Sequence, residues 1–214
     1  MHHLLSALAL IAVAAPLPAF AEEWAGQYRL DAGPDAAGGL ELNADGTFRF
    51  GMSAGALDME AAGRWERTGE GITLRTEPRP VPAAFSLARA EPGSGDGAVS
   101  INVTWPNGRG IAGIDFRIIR DGAEPITGYT QSDGWTSEAG PDHRVVSIQI
   151  SEPIHGTVSE EFPVPENARA FTFLLTPNDL GIADFDNAPA ERTPEGLTVH
   201  WRGGEIPFVK AASR

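Results

Sequence analysis

The chain predicts an all-β protein, an antiparallel β-meander or partial barrel with an inserted or appended Greek-key β-sandwich. Three observations lead there. Short apolar runs alternate with period two, and no long run follows the 3.6-residue period of a helix. The 25 glycines and 17 prolines fall between those runs, as turns require. Turn dipeptides, Asp45-Gly46, Asn107-Gly108, Asp121-Gly122, Asp133-Gly134 and Gly203-Gly204, separate neighbouring runs.

Residues 1–21 stand apart. A short polar start leads into an apolar run, Leu4–Ala15, then Pro16 and Pro18, then the small–x–small sequence Ala19-Phe20-Ala21. This is the pattern of a secretory signal peptide, and the run is too short to span a bilayer comfortably. The mature chain is therefore expected from Glu22, in the periplasm or secreted. The 214 residues contain no cysteine, which excludes disulfides, thiolate metal sites and a thiol nucleophile. The core alone must hold the fold. The formal net charge of −13 lies wholly outside residues 1–21. An acidic surface of this kind disfavours nucleic acid and anionic membrane faces as partners, and no stretch after residue 21 is apolar enough to be a transmembrane helix.

The mature protein opens on Glu22–Leu30, where Trp24, Gly26, Tyr28 and Leu30 share one side of a strand. Asp31–Gly39 reads as a loop. Leu40–Leu42 and Thr47–Phe50 flank the Asp45-Gly46 turn as a hairpin. Leu57, Met59, Ala61, Gly63 and Trp65 alternate with polar residues, and Ile72–Leu74 returns after another turn. One apolar face runs through this meander. Pro78, Pro80 and Pro82 make Glu77–Pro82 an extended connector or edge, since proline cannot donate to a ladder. Phe85 and Leu87 suggest one more short strand. Glu91–Gly97 is a Gly-rich flexible joint.

A second set of strands follows. Val99, Ile101 and Val103 alternate up to the turn Trp105–Gly110, and Ile114, Phe116 and Ile118 alternate again. Ile126–Thr130 leads to Asp133-Gly134-Trp135, and Arg144–Ile150, Thr157–Val164 and Ala170–Leu175 complete the set. Thr176–Pro194 reads as a polar loop. In the terminal hairpin Leu197, Val199 and Trp201 alternate, Gly203-Gly204 turns, and Ile206 and Phe208 return. The expected units are a signal peptide at 1–21, a β module at 22–92 plus 195–212, and a sandwich at 97–190. A meander of about five strands has too little core alone, which is why the terminal hairpin is assigned to it.

The words W-A-G-Q-Y-R-L, L-E-L-N-A-D-G-T-F-R-F, A-G-R-W-E-R and G-I-T-L resemble the lipocalin-like (calycin-type) β modules of exported bacterial proteins. The words V-x-V-T-x-P-N-G-R-x-I-A-G-I-D-F-x-I and G-Y-T-Q-S-D-G-W resemble the carboxypeptidase-regulatory or transthyretin-like β-sandwich, with Gln131 where that family commonly has Asp. The second resemblance implies a module that assists or binds and does not catalyse.

No complete catalytic constellation is present. Gly51-Met52-Ser53-Ala54-Gly55 matches the G-x-S-x-G nucleophile elbow, but the period-two pattern after it is a strand where the elbow needs a helix. His143, His155 and His200 lack metal-ligand spacing, and no metal or cofactor is expected. Asp179, Asp184, Asp186 and Asn187 cluster in one loop, a composition compatible with calcium or with ordinary turns. Two sets of aromatics remain. Trp24, Tyr28, Phe48, Phe50, Trp65 and Trp201 would line a barrel mouth for an apolar ligand or sugar, or fill a core. Trp105, Tyr129 and Trp135, beside the sandwich turns, are the candidate interaction surface.

The functional expectation is an exported, non-catalytic binding or accessory module of the cell envelope, with an unidentified protein or small-molecule partner. The alternative is a carrier holding a small apolar ligand inside the first module, and a third reading is an esterase at Ser53. A cavity of a few hundred Å³ lined by Trp24, Phe48 and Trp65 would favour the carrier. A solid core there, with exposed aromatics on the sandwich, would favour the interaction module.

Overall fold

The structure is a computed structural model that describes residues 23–93, 97–138 and 143–212. The expected signal peptide, 1–21, and part of the Glu91–Gly97 joint lie outside the described residues. The fold is all-β, with a closed eight-stranded antiparallel barrel and two further sheets.

The barrel begins with β1 (Gly26–Leu30), β2 (Ala36–Leu42), β3 (Thr47–Ala54), β4 (Leu57–Thr68) and β5 (Gly71–Thr76). It ends with β15 (Ala188–Arg192), β16 (Gly196–Trp201) and β17 (Gly204–Lys210). The strand order β1-β17-β16-β15-β5-β4-β3-β2 closes because β1 pairs with both β2 and β17. This arrangement is compatible with a lipocalin-like fold. The terminal hairpin, β16–β17, is thus part of the barrel wall.

Among the described residues, nine strands lie between β5 and β15. They are β6 (Ala84–Glu91), β7 (Ser100–Thr104), β8 (Asp115–Arg120), β9 (Ala123–Tyr129), β10 (Trp135–Thr136), β11 (Val145–Glu152), β12 (Thr157–Val158), β13 (Phe162–Pro163) and β14 (Ala170–Thr176). One sheet has the order β10-β7-β14-β6 and is mixed, since β14 runs parallel to β7 and antiparallel to β6. The other has the order β12-β11-β8-β9, with β13 also pairing with β11. Their facing side chains form a core of Val99, Ile101, Val103, Phe116, Ile118, Ile148, Phe171 and Phe173, separate from the barrel core. Alternation in β7, β8 and β14 points every second residue into this layer.

Several expectations need correcting. By sequence pattern, residues 84–91 fall in the first module. In the structure β6 pairs along its length with β14 of the sandwich, so the unit changes at the proline connector and not at the Gly-rich joint. Residues 188–190, expected at the end of the sandwich and within a loop, instead supply the barrel strand β15. Its inward residues are Ala188 and Ala190, too small to give an apolar alternation signal. The expected loop Asp31–Gly39 yields the first half of β2. Two glycines there hide the strand: a Cβ on Gly38 would lie 2.2 Å from the Gly51 carbonyl oxygen, and one on Gly39 would lie 2.7 Å from that of Tyr28. Neighbouring strands approach too closely for side chains at these points.

Candidate functional site

The six barrel aromatics make a core. Trp24, Tyr28, Phe48, Phe50 and Trp65 are buried, and Trp201 is partly buried against them. Their polar atoms are used internally. The Tyr28 hydroxyl donates to the Trp24 carbonyl at 2.6 Å, Trp65 Nε1 to the Asn43 carbonyl at 3.0 Å, and Trp201 Nε1 to the Asp184 carbonyl at 2.8 Å. Burial raises the Tyr28 pKa above its ordinary value, and Arg192 pulls weakly the other way.

The centre of the barrel is filled by Phe185, a residue the sequence pattern did not single out. It is buried and packs 5.1 Å from Phe50, 5.5 Å from Trp201 and 5.9 Å from Phe48, centroid to centroid. The segment carrying it is laced to the wall. Glu60 N donates to the Gly181 carbonyl, Ala183 N to the Glu60 carbonyl, and Thr76 N to the Phe185 carbonyl. The buried Thr76 hydroxyl donates to the Ala183 carbonyl at 2.6 Å and accepts from Phe185 N at 3.0 Å. A lone phenylalanine between two aspartates was the available signal for this plug. Grooves of about 490 and 620 Å³ lie on the barrel beside Arg49; Phe50 borders the first and Phe48 the second, and neither is lined by Trp24 or Trp65.

The acidic loop that suggested calcium spends its side chains on protein. Asp184 and Asp186 pair with Arg79 at 3.5 and 3.2 Å, Asp179 accepts from Val81 N at 2.8 Å, and Asn187 accepts from Arg75 at 2.7 Å. No group of three or more candidate metal ligands occurs among the described residues. The histidines are not brought together in a hydrogen-bonded or ion-paired group. His155 lies 3.2 Å from Glu152, His200 lies 3.2 Å from Glu191, and His143 is exposed. Ser53 sits within β3, paired with Ala37 and Asp58 across two strands, and not on a strand-to-helix turn. The elbow geometry that exposes a nucleophilic oxygen is therefore missing.

In the sandwich, Trp105 and Trp135 are partly buried against the core, and Trp135 lies 4.7 Å from the Phe116 ring. Only Tyr129 of the three candidate interaction residues presents its ring to solvent, at 59% exposure. It stands on β9, the edge of its sheet. The adjacent Gly128 is required there, because a Cβ would lie 2.7 Å from the Phe116 ring.

The sheet register builds a face around Tyr129. Asp115 pairs with Tyr129 on one side and Ser151 on the other. Arg117 pairs in the same way with Thr127 and Gln149. These six side chains occupy two rows across β9, β8 and β11 and line a shallow groove of about 440 Å³. Gln149 Nε2 donates to the Ser159 carbonyl at 3.1 Å, which borders the groove on the β11 side. Asp115 and Arg117 form no hydrogen bond or ion pair through their side chains among the described residues. The face thus sets two exposed charged residues, Asp115 and Arg117, beside an exposed aromatic. Sequence pattern picked out Tyr129 but missed the other five. Their signal was the polar half of each alternation, yet only the register shows that the three halves meet.

No family model, no curated protein and no solved structure matches this chain.

Proposed function

We propose that this protein is an exported, non-catalytic binding module of the cell envelope, and that the Tyr129 face of the sandwich is its contact surface. The observation that carries this reading is the contrast between the two units. Buried aromatic side chains cluster around Phe185 in the barrel interior, whereas the sandwich offers an exposed aromatic among polar side chains with unspent hydrogen-bonding capacity. The carboxypeptidase-regulatory-like sequence words agree with an accessory role, and the N-terminal pattern agrees with the periplasm or the medium. No helix among the described residues is long and apolar enough to cross a membrane.

The test compares the barrel interior with the Tyr129 face. Anilinonaphthalene sulfonate is titrated into the mature chain while tryptophan emission is followed. A binding module leaves the emission of Trp24 and Trp65 unquenched. Hydrogen exchange with and without a solubilised envelope fraction is then expected to slow at β8 and β9. Stoichiometric dye binding with quenching, and no exchange protection on the sandwich, would return the reading to a carrier.

A further inference from the structure

We infer that the Tyr129 face binds a neutral saccharide, the ring of Tyr129 lying against the C–H face of one sugar unit. This rests on the binding-module reading above and names its ligand class.

The dimensions fit first. Neighbouring strands are about 4.8 Å apart, and alternate residues on a strand are about 6.7 Å apart. Three strands and two rows therefore set out a patch of about 10 by 7 Å, the footprint of one or two pyranose rings. The chemistry fits next. Asp115 only accepts hydrogen bonds and Arg117 only donates them. Thr127 and Ser151 do both, and Gln149 keeps its amide oxygen as an acceptor. A ligand meeting all of them must offer donors and acceptors at close, regular spacing, as vicinal hydroxyls do. Charge narrows the class. The six side chains hold one carboxylate and one guanidinium, so the patch is neutral on a chain of net charge −13. It attracts neither a polyanion nor a polycation.

A protein partner is disfavoured by the same inventory. Protein interfaces centre on a desolvated apolar cluster ringed by polar residues. Here one aromatic stands beside five polar side chains, and the exposed aliphatic on the same row, Val158 opposite Ser151, stands on β12, three strands away from Tyr129 and not clustered with it. The backbone that carries the ring is fixed, since β9 is hydrogen-bonded to β8. A fixed backbone limits the entropy lost on binding.

The experiment uses the mature full chain, labelled with nitrogen-15, and a panel of soluble hexasaccharides: cello-, chito-, laminari- and maltohexaose. At least one is expected to shift amide resonances of Asp115, Arg117, Thr127, Tyr129, Gln149 and Ser151 at up to millimolar ligand. Tyr129→Ala should weaken that binding about tenfold or more, whereas Tyr129→Phe, which keeps the ring, should retain it within about threefold. Asp115→Asn should weaken it several-fold. Each variant should keep the wild-type circular dichroism spectrum, because both positions, Tyr129 and Asp115, are outside the core. If no panel member shifts these amides, or shifts persist in Tyr129→Ala, the saccharide assignment falls. Exchange protection of β8 and β9 by the protein component of an envelope fraction would then keep the binding surface while overturning its ligand class. Silence in both experiments would overturn both readings.

Discussion

Replacing Phe185 by alanine tests whether the barrel is a packed body or a container. The ring is buried and meets three other aromatic rings within 6 Å. Phe→Ala in a core costs about 3–5 kcal/mol, the upper end applying where the surroundings cannot collapse into the gap. Here they cannot collapse easily. Backbone hydrogen bonds to Glu60 and Thr76 fix the segment on both sides of the ring, and the contacting rings stand on paired strands. A loss of about 4 kcal/mol is expected, with a fall in Tm of about 10 °C for a chain of this size. Urea unfolding followed by tryptophan fluorescence measures it, and an unchanged m-value would show that the compactness of the end states is the same. Phe185→Leu, which keeps most of the volume, should lose only about 1–1.5 kcal/mol. A loss below 1 kcal/mol for the alanine variant would refute the reasoning, because the plug would then contribute nothing that an empty barrel lacks.

Thr76→Val should cost about 2 kcal/mol in the same assay, since the methyl group leaves the Ala183 carbonyl without the Thr76 hydroxyl donor and Phe185 N without its side-chain acceptor. Tyr28 sets an alkaline limit: its hydroxyl titrates above the ordinary 10.0, so the unfolded chain loses that proton first. The stabilisation is full below pH 10 and is lost as pH rises through the folded value, and Tyr28→Phe should flatten that decline in pH-dependent melting. Asp45 behaves oppositely, its pKa lowered below 3.8 first by the Thr47 hydroxyl and then by the Thr47 N–H. Its contribution is present above 3.8 and lost as pH falls through the folded value, and a Thr47→Val variant should raise the Asp45 titration midpoint followed by carbon-13 NMR. Tyr129→Ala should leave Tm within about 1 °C of wild type, because exposed positions outside special contacts change stability little.

Most strands were legible because their inward residues are large and their turns carry Gly after Asp or Asn. β1, β4, β7, β8 and β16 fall where alternation puts them. β15 was hidden because Ala188 and Ala190 point inward, and Pro189 speaks against a central strand although it occupies one. β6 was assigned to the wrong unit because pairing depends on partners far away in the chain. Phe85 and Leu87 announce a strand without saying that β14 completes it. The candidate site was legible only at Tyr129. A face made from three strands is a property of register, and register between β8, β9 and β11 is settled by turns and a buried face that no single strand displays. The plug was missed for a related reason: a lone Phe in a polar loop has no period.

The position of the sandwich follows from the barrel's own topology. β5 ends at Thr76 and β15 begins at Ala188, yet the two are hydrogen-bonded neighbours, with Ala188 opposite Leu74. The whole sandwich therefore stands where an antiparallel pair would have a hairpin loop. Closing residues 77–187 as a flexible loop would cost about 3 kcal/mol more than closing a short turn. A folded sandwich removes most of that cost, because its two ends are already held together. β6 and β14 lie side by side, with Ala84 opposite Thr176, so the chain enters and leaves the unit at adjacent points. Asp179 accepting from Val81 N and Asn178 donating to the Pro82 carbonyl then tie the two crossing segments to each other. The Phe185 plug is the last turn of the returning segment, and Thr76 is the last residue before departure. Their mutual hydrogen bonds join the barrel at the β5–β15 seam, one of two places, with β1–β17, where neighbouring strands are not consecutive in sequence. The β5–β15 seam of the barrel is thus tied to the segments that lead into and out of the sandwich, while Tyr129, on the edge strand β9, takes no part in this clasp.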